Sequence, residues 1–148
     1  MLGIEVSVPD GWVRVPSTDG AVVLGGPLVA GARPTIALAR EPFDPPTPDG
    51  LARGLAALRS IQIEEYPGFA LLAERTVEVD GRWAHVEHFR WQHEGTALTQ
   101  LFALIVIEPG MALQIDGVCL TDLEAEHLVD LDAIVASIGF PAVDHVAA

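Results

Sequence analysis

The sequence predicts an α+β domain: an antiparallel sheet of about six to seven strands with helices packed on it. Three observations carry this expectation. Between Val77 and Leu120, the pairs Asp80-Gly81, Glu94-Gly95 and Pro109-Gly110 punctuate segments rich in Val, Ile, Phe, Trp and Thr, the composition and turn chemistry of a meander. Two other stretches, one after Pro48 and one after Thr121, place apolar side chains at helical spacing. The segment 98–107 is apolar at both parities, Leu98, Phe102, Leu104 and Val106 against Leu101, Ala103, Ile105 and Ile107, which predicts a central strand covered on both sides.

Taken in order, Ile4 to Val8 alternates as a strand and stops at the turn sequence Pro9-Asp10-Gly11. Trp12 opens a short strand, Ala21 to Leu24 a second, and Thr35 to Ala39 a third, flanked by Pro34 and Pro42. Asp44 to Pro48 is proline-rich and reads as a loop. The first helix is capped by Thr47 or Asp49 with Pro48 in its first turn; Leu51, Leu55, Leu58 and then Ile61 or Gln62 form its buried face. Tyr66-Pro67-Gly68 ends that unit, and Phe69 to Val79 is the strand leading into the meander. Thr121 and Glu124 have the spacing of a capping box. Behind them Leu128, Leu131, Ile134, Val135 and Ile138 make one apolar stripe, with Asp122, Glu126, Asp130 and Asp132 facing water, before Gly139 and Pro141 stop the helix.

Composition excludes more than it assigns. The 148 residues suit one domain spanning 1–148, and a 50% hydrophobic content argues against disorder. Acidic residues number 21 against 8 basic ones, all arginine, giving a net charge of -13. With those arginines scattered rather than striped, neither nucleic acid nor an anionic membrane surface is an expected partner. The lone Cys119 cannot form an internal disulfide or a multi-cysteine metal site. The amino terminus shows no secretory signal pattern, and the longest apolar run, Leu101 to Ile107, is too short to span a bilayer, so a cytoplasmic chain without a transmembrane segment is expected.

Two-residue turns fix the expected registers. Trp91 faces Leu98, Phe89 faces Gln100 and Glu87 faces Phe102; onward, Val106 meets Leu113 and Leu104 meets Ile115. One sheet face then collects Trp83, His85, Glu87, Phe89, Trp91, Leu98, Phe102, Leu104, Leu113 and Ile115, while Ala112, Gln114, Asp116 and Val118 fall on the other. His85 and Glu87 interrupt the aromatic row, which predicts a face not fully closed by a helix. Trp83, His85, Glu87, Phe89 and Trp91 are therefore the candidate partner-binding residues.

Catalytic and metal signatures are weak. His85 and His88 differ by an odd number and point to opposite faces, and His85 and His93 lie about 26 Å apart along an extended strand, so no metal site is expected from the histidines. Glu74 and Glu87 would face each other across the Asp80-Gly81 turn, with Thr76 and His85 in the next row; facing carboxylates raise one another's proton affinity. Cys119 and Ser137 have no nucleophile context, and neither a phosphate loop nor a dinucleotide fingerprint is present. No cofactor and no catalytic residue are expected.

The segment Val6-Ser7-Val8-Pro9-Asp10-Gly11-Trp12 resembles the opening of the PsbP-like superfamily, which takes in the DcrB-like proteins, the LpqN-type actinobacterial proteins and the Ran-binding Mog proteins. Pro34 to Arg40 resembles its next core strand, and Val79-Asp80-Gly81-Arg82-Trp83-Ala84 its hairpin. Leu98-Thr99-Gln100, Gly110, Cys119-Leu120-Thr121 and Ile134 to Ser137 are similar to its closing strands and helix. The resemblance implies an α-β-α sandwich. It also implies a non-enzymatic role, since members include assembly factors, envelope lipoproteins and chaperones that shelter apolar segments of secreted toxins.

Residues and resemblance together lead to the expectation of a protein-binding module for an unidentified protein partner, as an adaptor or as a chaperone for an apolar segment. The alternative is a carrier of a small hydrophobic ligand held between sheet and helix. A hydrolase using Glu74 and Glu87 stands behind both. Pairing of a greasy sheet face with its twin would make a homodimer.

Overall fold

The computed structural model describes residues 3–17, 20–43 and 48–141, without the side chains of 48–51. The strands are β1 (Val13–Val15), β2 (Val22–Gly25), β3 (Thr35–Phe43), β4 (Ala70–Val79), β5 (Arg82–His93), β6 (Thr96–Glu108) and β7 (Gly110–Leu120). Helix α1 (Pro48–Glu65) joins β3 to β4, and α2 (Glu124–Ala136) follows β7 through a single 3-10 turn, Thr121–Leu123. The seven strands form one sheet in the order β1-β2-β3-β7-β6-β5-β4, every neighbouring pair antiparallel. The expected α+β architecture, with a helix on each face, is what the chain builds.

The first two hairpin turns explain why the meander registers so firmly. Asp80 and Gly81 have φ of 50° and 76°, and Glu94 and Gly95 have 49° and 82°. Positive φ at both central residues matches the right-handed twist of the flanking strands. Val79 therefore pairs with Arg82 and His93 with Thr96, and the expected pairs follow: Glu74 with Glu87, Thr76 with His85, Glu87 with Phe102 and Trp91 with Leu98.

The third connection differs from expectation. Between β6 and β7 the register shifts between Val106 and Glu108, so Val106 pairs with Ala112 and Leu104 with Gln114, not with Leu113 and Ile115. One extra residue in one strand flips every later side chain to the other face. Leu113 and Ile115 consequently join the α2 face, and Ala112, Gln114, Asp116 and Val118 join the α1 face.

The larger core lies under α2. Ile36, Leu38, Ala84, Val86, Leu101, Ile105, Leu113 and Ile115 pack there against Leu131, Ile134, Val135 and Ile138. Gly117 permits the approach, since a Cβ there would meet Leu131 Cδ2 at 3.0 Å. Under α1 lies a smaller cluster of Phe89, Phe102, Leu104 and Ala112, with Phe43, Leu58, Tyr66, Phe69 and Trp91 packed against it.

Other local expectations are corrected. Of the strand expected at Ile4 to Val8, only one bridge forms, Glu5 with Gly139. Strand β3 continues through Pro42 to Phe43; past Leu38 only β7 pairs with it, so a missing N–H is tolerated on the open side. Thr121 and Glu124 do not close a capping box, because their side chains are drawn to Thr99 and Arg90. Asp132, expected to face water, turns to the sheet and accepts from His88 Nε2 at 2.9 Å and Arg75 Nη2 at 3.3 Å. The Asp44 to Pro48 loop as far as Thr47, the cap at Thr47 or Asp49 and the side chain of Leu51 lie outside the described residues.

Candidate functional site

Helix α1 is thin where it crosses the sheet. Ala52, Ala56, Ala57 and Gly54 lie along it, so clefts remain on both of its edges. On the β4–β5 side a cleft of 610 Å³ is lined by Ala52, Leu55, Ala56, Arg59, Glu74, Arg75, Thr76, His85 and Glu87. On the β3–β7 side two adjoining clefts of 270 and 210 Å³ share Leu58, Ile61, Phe102 and Gln114.

The floor of the larger cleft is a closed ionic cluster. Arg59 reaches down from α1 and donates through Nη2 to Glu74 Oε2 at 2.9 Å and to Glu87 Oε2, and through Nε to Gln62 Oε1 at 3.1 Å. Gln62 Nε2 donates to Glu87 Oε1 at 2.8 Å, and His85 Nε2 lies 2.9 Å from Glu87 Oε2. An ionised carboxylate only accepts, so the imidazole hydrogen facing Glu87 sits on Nε2. Burial pushes Glu87 up, but the hydrogen bonds from His85, Gln62 and Arg59 and the Arg59 charge outweigh it and hold the carboxyl down at about 2. Facing Glu74 therefore does not raise the proton affinity of Glu87, because an arginine stands between the two. The carboxylate is an ion held in place, not a proton donor near neutral pH.

Glu74, His85 and Glu87 also bring three donor atoms within 4.8 Å of one another, the donor types of a divalent-ion site. Arg59 already supplies the cation those donors would share. His88 and His93 stay apart from this set, His88 being engaged with Asp132 on the α2 face.

The second polar cluster was hidden from sequence reasoning by the register shift. Trp91 Nε1 donates to Gln100 Oε1 at 2.9 Å; Gln100 Nε2 donates to Asp116 Oδ1 at 3.2 Å; Gln114 Nε2 donates to Asp116 Oδ2 at 2.9 Å. Burial pushes Asp116 up, the two amides pull it down, and the Glu41 charge adds to the rise, leaving it above the ordinary aspartate range. Only a bulge signal at Pro109-Gly110 could have placed Gln114 and Asp116 beside Gln100.

The candidate aromatic row is not a uniform surface. Phe89 is 0% exposed beneath Tyr66 and Phe69, whose ring centroids lie 5.1 and 4.8 Å away. His85 and Glu87, at 5% and 2% exposed, are covered by α1 through Arg59 and Gln62, so polar character here does not mark an open face. Trp83 and Trp91 are half-buried at the two ends of the row, Trp83 stacked near-parallel to His85 and Trp91 set against Tyr66. The structure thus joins His85 to Glu87 and Trp83, and separates them from Trp91, which belongs to the Asp116 cluster.

No protein-family model matches the sequence, and no curated protein matches it either. Solved structures do. LpqN of Mycobacterium tuberculosis, involved in cell envelope biogenesis, superposes with a TM-score of 0.72 at 20% identity, over 93% of this chain and 83% of its own. The cyanobacterial PsbP of Synechocystis sp. PCC 6803 gives 0.63 at 12%, over 95% and 94% of the two chains. The chain has the PsbP-like fold. The Ran-binding protein Mog1p of Saccharomyces cerevisiae shares it as well, with a TM-score of 0.63 at 15% identity, over 93% and 90%. At these identities the likeness establishes the PsbP-like architecture that the motifs implied. No helix of the described residues is long and apolar enough to cross a membrane.

Proposed function

We propose that this chain is a non-enzymatic protein-binding module that engages its partner along the edges of α1, as an adaptor or as a chaperone for an apolar segment. One observation carries this reading: α1 leaves clefts on both sides, yet the ionisable groups beneath it are tied into hydrogen bonds. Such floors suit recognition better than turnover, because Glu87 cannot deliver a proton while three donors hold it ionised. The PsbP-like neighbours support it, one of them being a Ran-binding protein. Trp83, stacked on His85, and Trp91, packed on Tyr66, are the aromatic contacts offered at the two ends of the row, while Phe89 is buried between them. A carrier of a hydrophobic ligand fits the 610 Å³ volume, but the charged floor of Arg59, Glu74, His85 and Glu87 disfavours an apolar guest.

The test is site-specific photo-crosslinking in the native host. A crosslinker at Thr76 or Ile61, on the two edges of α1, is expected to give discrete adducts, while one at Val129, exposed on the far face of α2, gives none. An adduct of twice the chain mass would identify the partner as a second copy. Absence of adducts from both α1 edges, or equal labelling from Val129, would remove the proposal.

A further inference from the structure

The two clusters under α1 differ in one respect. On the β4–β5 side the carboxylates Glu74 and Glu87 have a cation of their own, Arg59. On the β3–β7 side, among the described residues, Asp116 is held by the neutral amides of Gln100 and Gln114. The clefts there are lined by Glu41, Glu65 and Asp116, with Phe43, Leu58, Ile61, Phe102 and Leu104 as their apolar walls, and no arginine lines them among the described residues. An anion in a partly desolvated, apolar cleft is strongly favoured by a cation that arrives with its own apolar stem.

Resting on the protein-binding reading above, we infer that the β3–β7 groove takes an apolar peptide segment bearing a lysine or arginine, whose cationic head pairs with Asp116. Charge complementarity commits the groove to this occupant, since a neutral or acidic segment would leave Asp116 without a counter-ion and face Glu41 and Glu65. Aromatic rings at the Asp116 end add cation–π attraction: Tyr66 lines the cleft, and Trp91 packs against it with ring centroids 4.9 Å apart. Trp91 also acts at one remove, because its indole fixes Gln100, which fixes Asp116.

The experiment uses the full chain and a fluorescein-labelled amphipathic peptide patterned with Leu and Lys, against analogues with Ser or Glu in place of Lys, followed by anisotropy at physiological ionic strength. The lysine peptide is expected to bind at least about tenfold more tightly than the serine peptide. Asp116→Asn should weaken it by about tenfold. Ile61→Arg, at a position 49% exposed and so safe for folding, should weaken it similarly by placing a built-in cation at the groove rim. Removing charge from the solvent side of α2 with Glu126→Gln should leave binding unchanged. Equal binding of the serine peptide, insensitivity to both Asp116→Asn and Ile61→Arg, or an equal loss with Glu126→Gln would overturn the assignment. Crosslinks from Thr76 and Ile61 to a partner would persist in that event, which separates a wrong partner chemistry from a wrong module reading.

Discussion

Replacing Arg59 with methionine tests whether the cluster under α1 is an ionic lock. The substitution keeps the stem that crosses the cleft but leaves Glu87, 2% exposed, with His85 and Gln62 as its partners among the described residues. Glu87 is held at about 2 against an ordinary 4.5, a gap worth about 3 kcal/mol at about 1.36 kcal/mol per unit. Because His85 and Gln62 account for part of that gap and remain in the variant, and because the Arg59 side chain is 27% exposed, a loss of about 1–2 kcal/mol at pH 7 is expected, rather than the about 3–5 kcal/mol of a fully buried broken pair. The sign follows from linkage. A depressed carboxyl pKa stabilises the fold above about 4.5, and that stability disappears as pH falls towards about 2. Urea unfolding followed by tryptophan fluorescence should therefore show wild type and Arg59→Met far apart at pH 7 and converging on acidification. Adding Glu87→Gln to Arg59→Met should recover most of the loss by removing the unpaired charge. A cost equal at pH 7 and pH 3, or a double variant no more stable than the single one, would refute the ionic-lock argument.

Three further outcomes are expected. Gly117→Val drives a branched side chain into Leu131, whose Cδ2 lies 3.0 Å from the nearest possible Cβ, and should cost about 1–3 kcal/mol in thermal or urea unfolding. Cys119 is buried, and burial together with the nearby Glu124 pushes its thiol up to about 11, so a disulfide reagent at pH 8 should label it only as the protein unfolds. Glu94 sits at φ 49° before Gly95 at 82°, so Glu94→Asn should raise stability by about 0.5 kcal/mol, while Gly95→Ala, with open space around it, should lower it by about 1 kcal/mol through backbone strain alone.

Legibility in the sequence tracked how local the determining interaction is. Asp80-Gly81 and Glu94-Gly95 declare their turn type in two residues, so the pairing of Glu74 with Glu87 and of Trp91 with Leu98 could be read directly. The apolar stripe of α2 was equally plain, because Leu131, Ile134, Val135 and Ile138 repeat at helical spacing. Thr121 and Glu124 misled because a capping box competes with tertiary partners, and Thr99 and Arg90 are separated from them by more than twenty residues. Arg59 carried no signal either. Nothing in its helical position says that it meets two strand carboxylates after a turn and a hairpin.

The register shift before Pro109-Gly110 has the largest consequence for function. Without it, Gln114 and Asp116 would point into the α2 core, where an aspartate beside Leu131 and Ile134 would be a costly defect. With it, Leu113 and Ile115 fill that core, and the two polar residues meet Gln100 beneath α1. Skipping Ile107 in the ladder thus does two things at once: it completes the larger hydrophobic core and moves a carboxylate into a cleft that contains no cation of its own among the described residues. Deletion of Ile107 tests this. With the skipped residue gone, Glu108 still meets Met111 and Val106 still meets Ala112, so Asp116 stays beneath α1 and the shortened chain is expected to unfold cooperatively with Trp91 emission near that of wild type. Loss of cooperative unfolding would show that Ile107 does more than set which side chains face each helix.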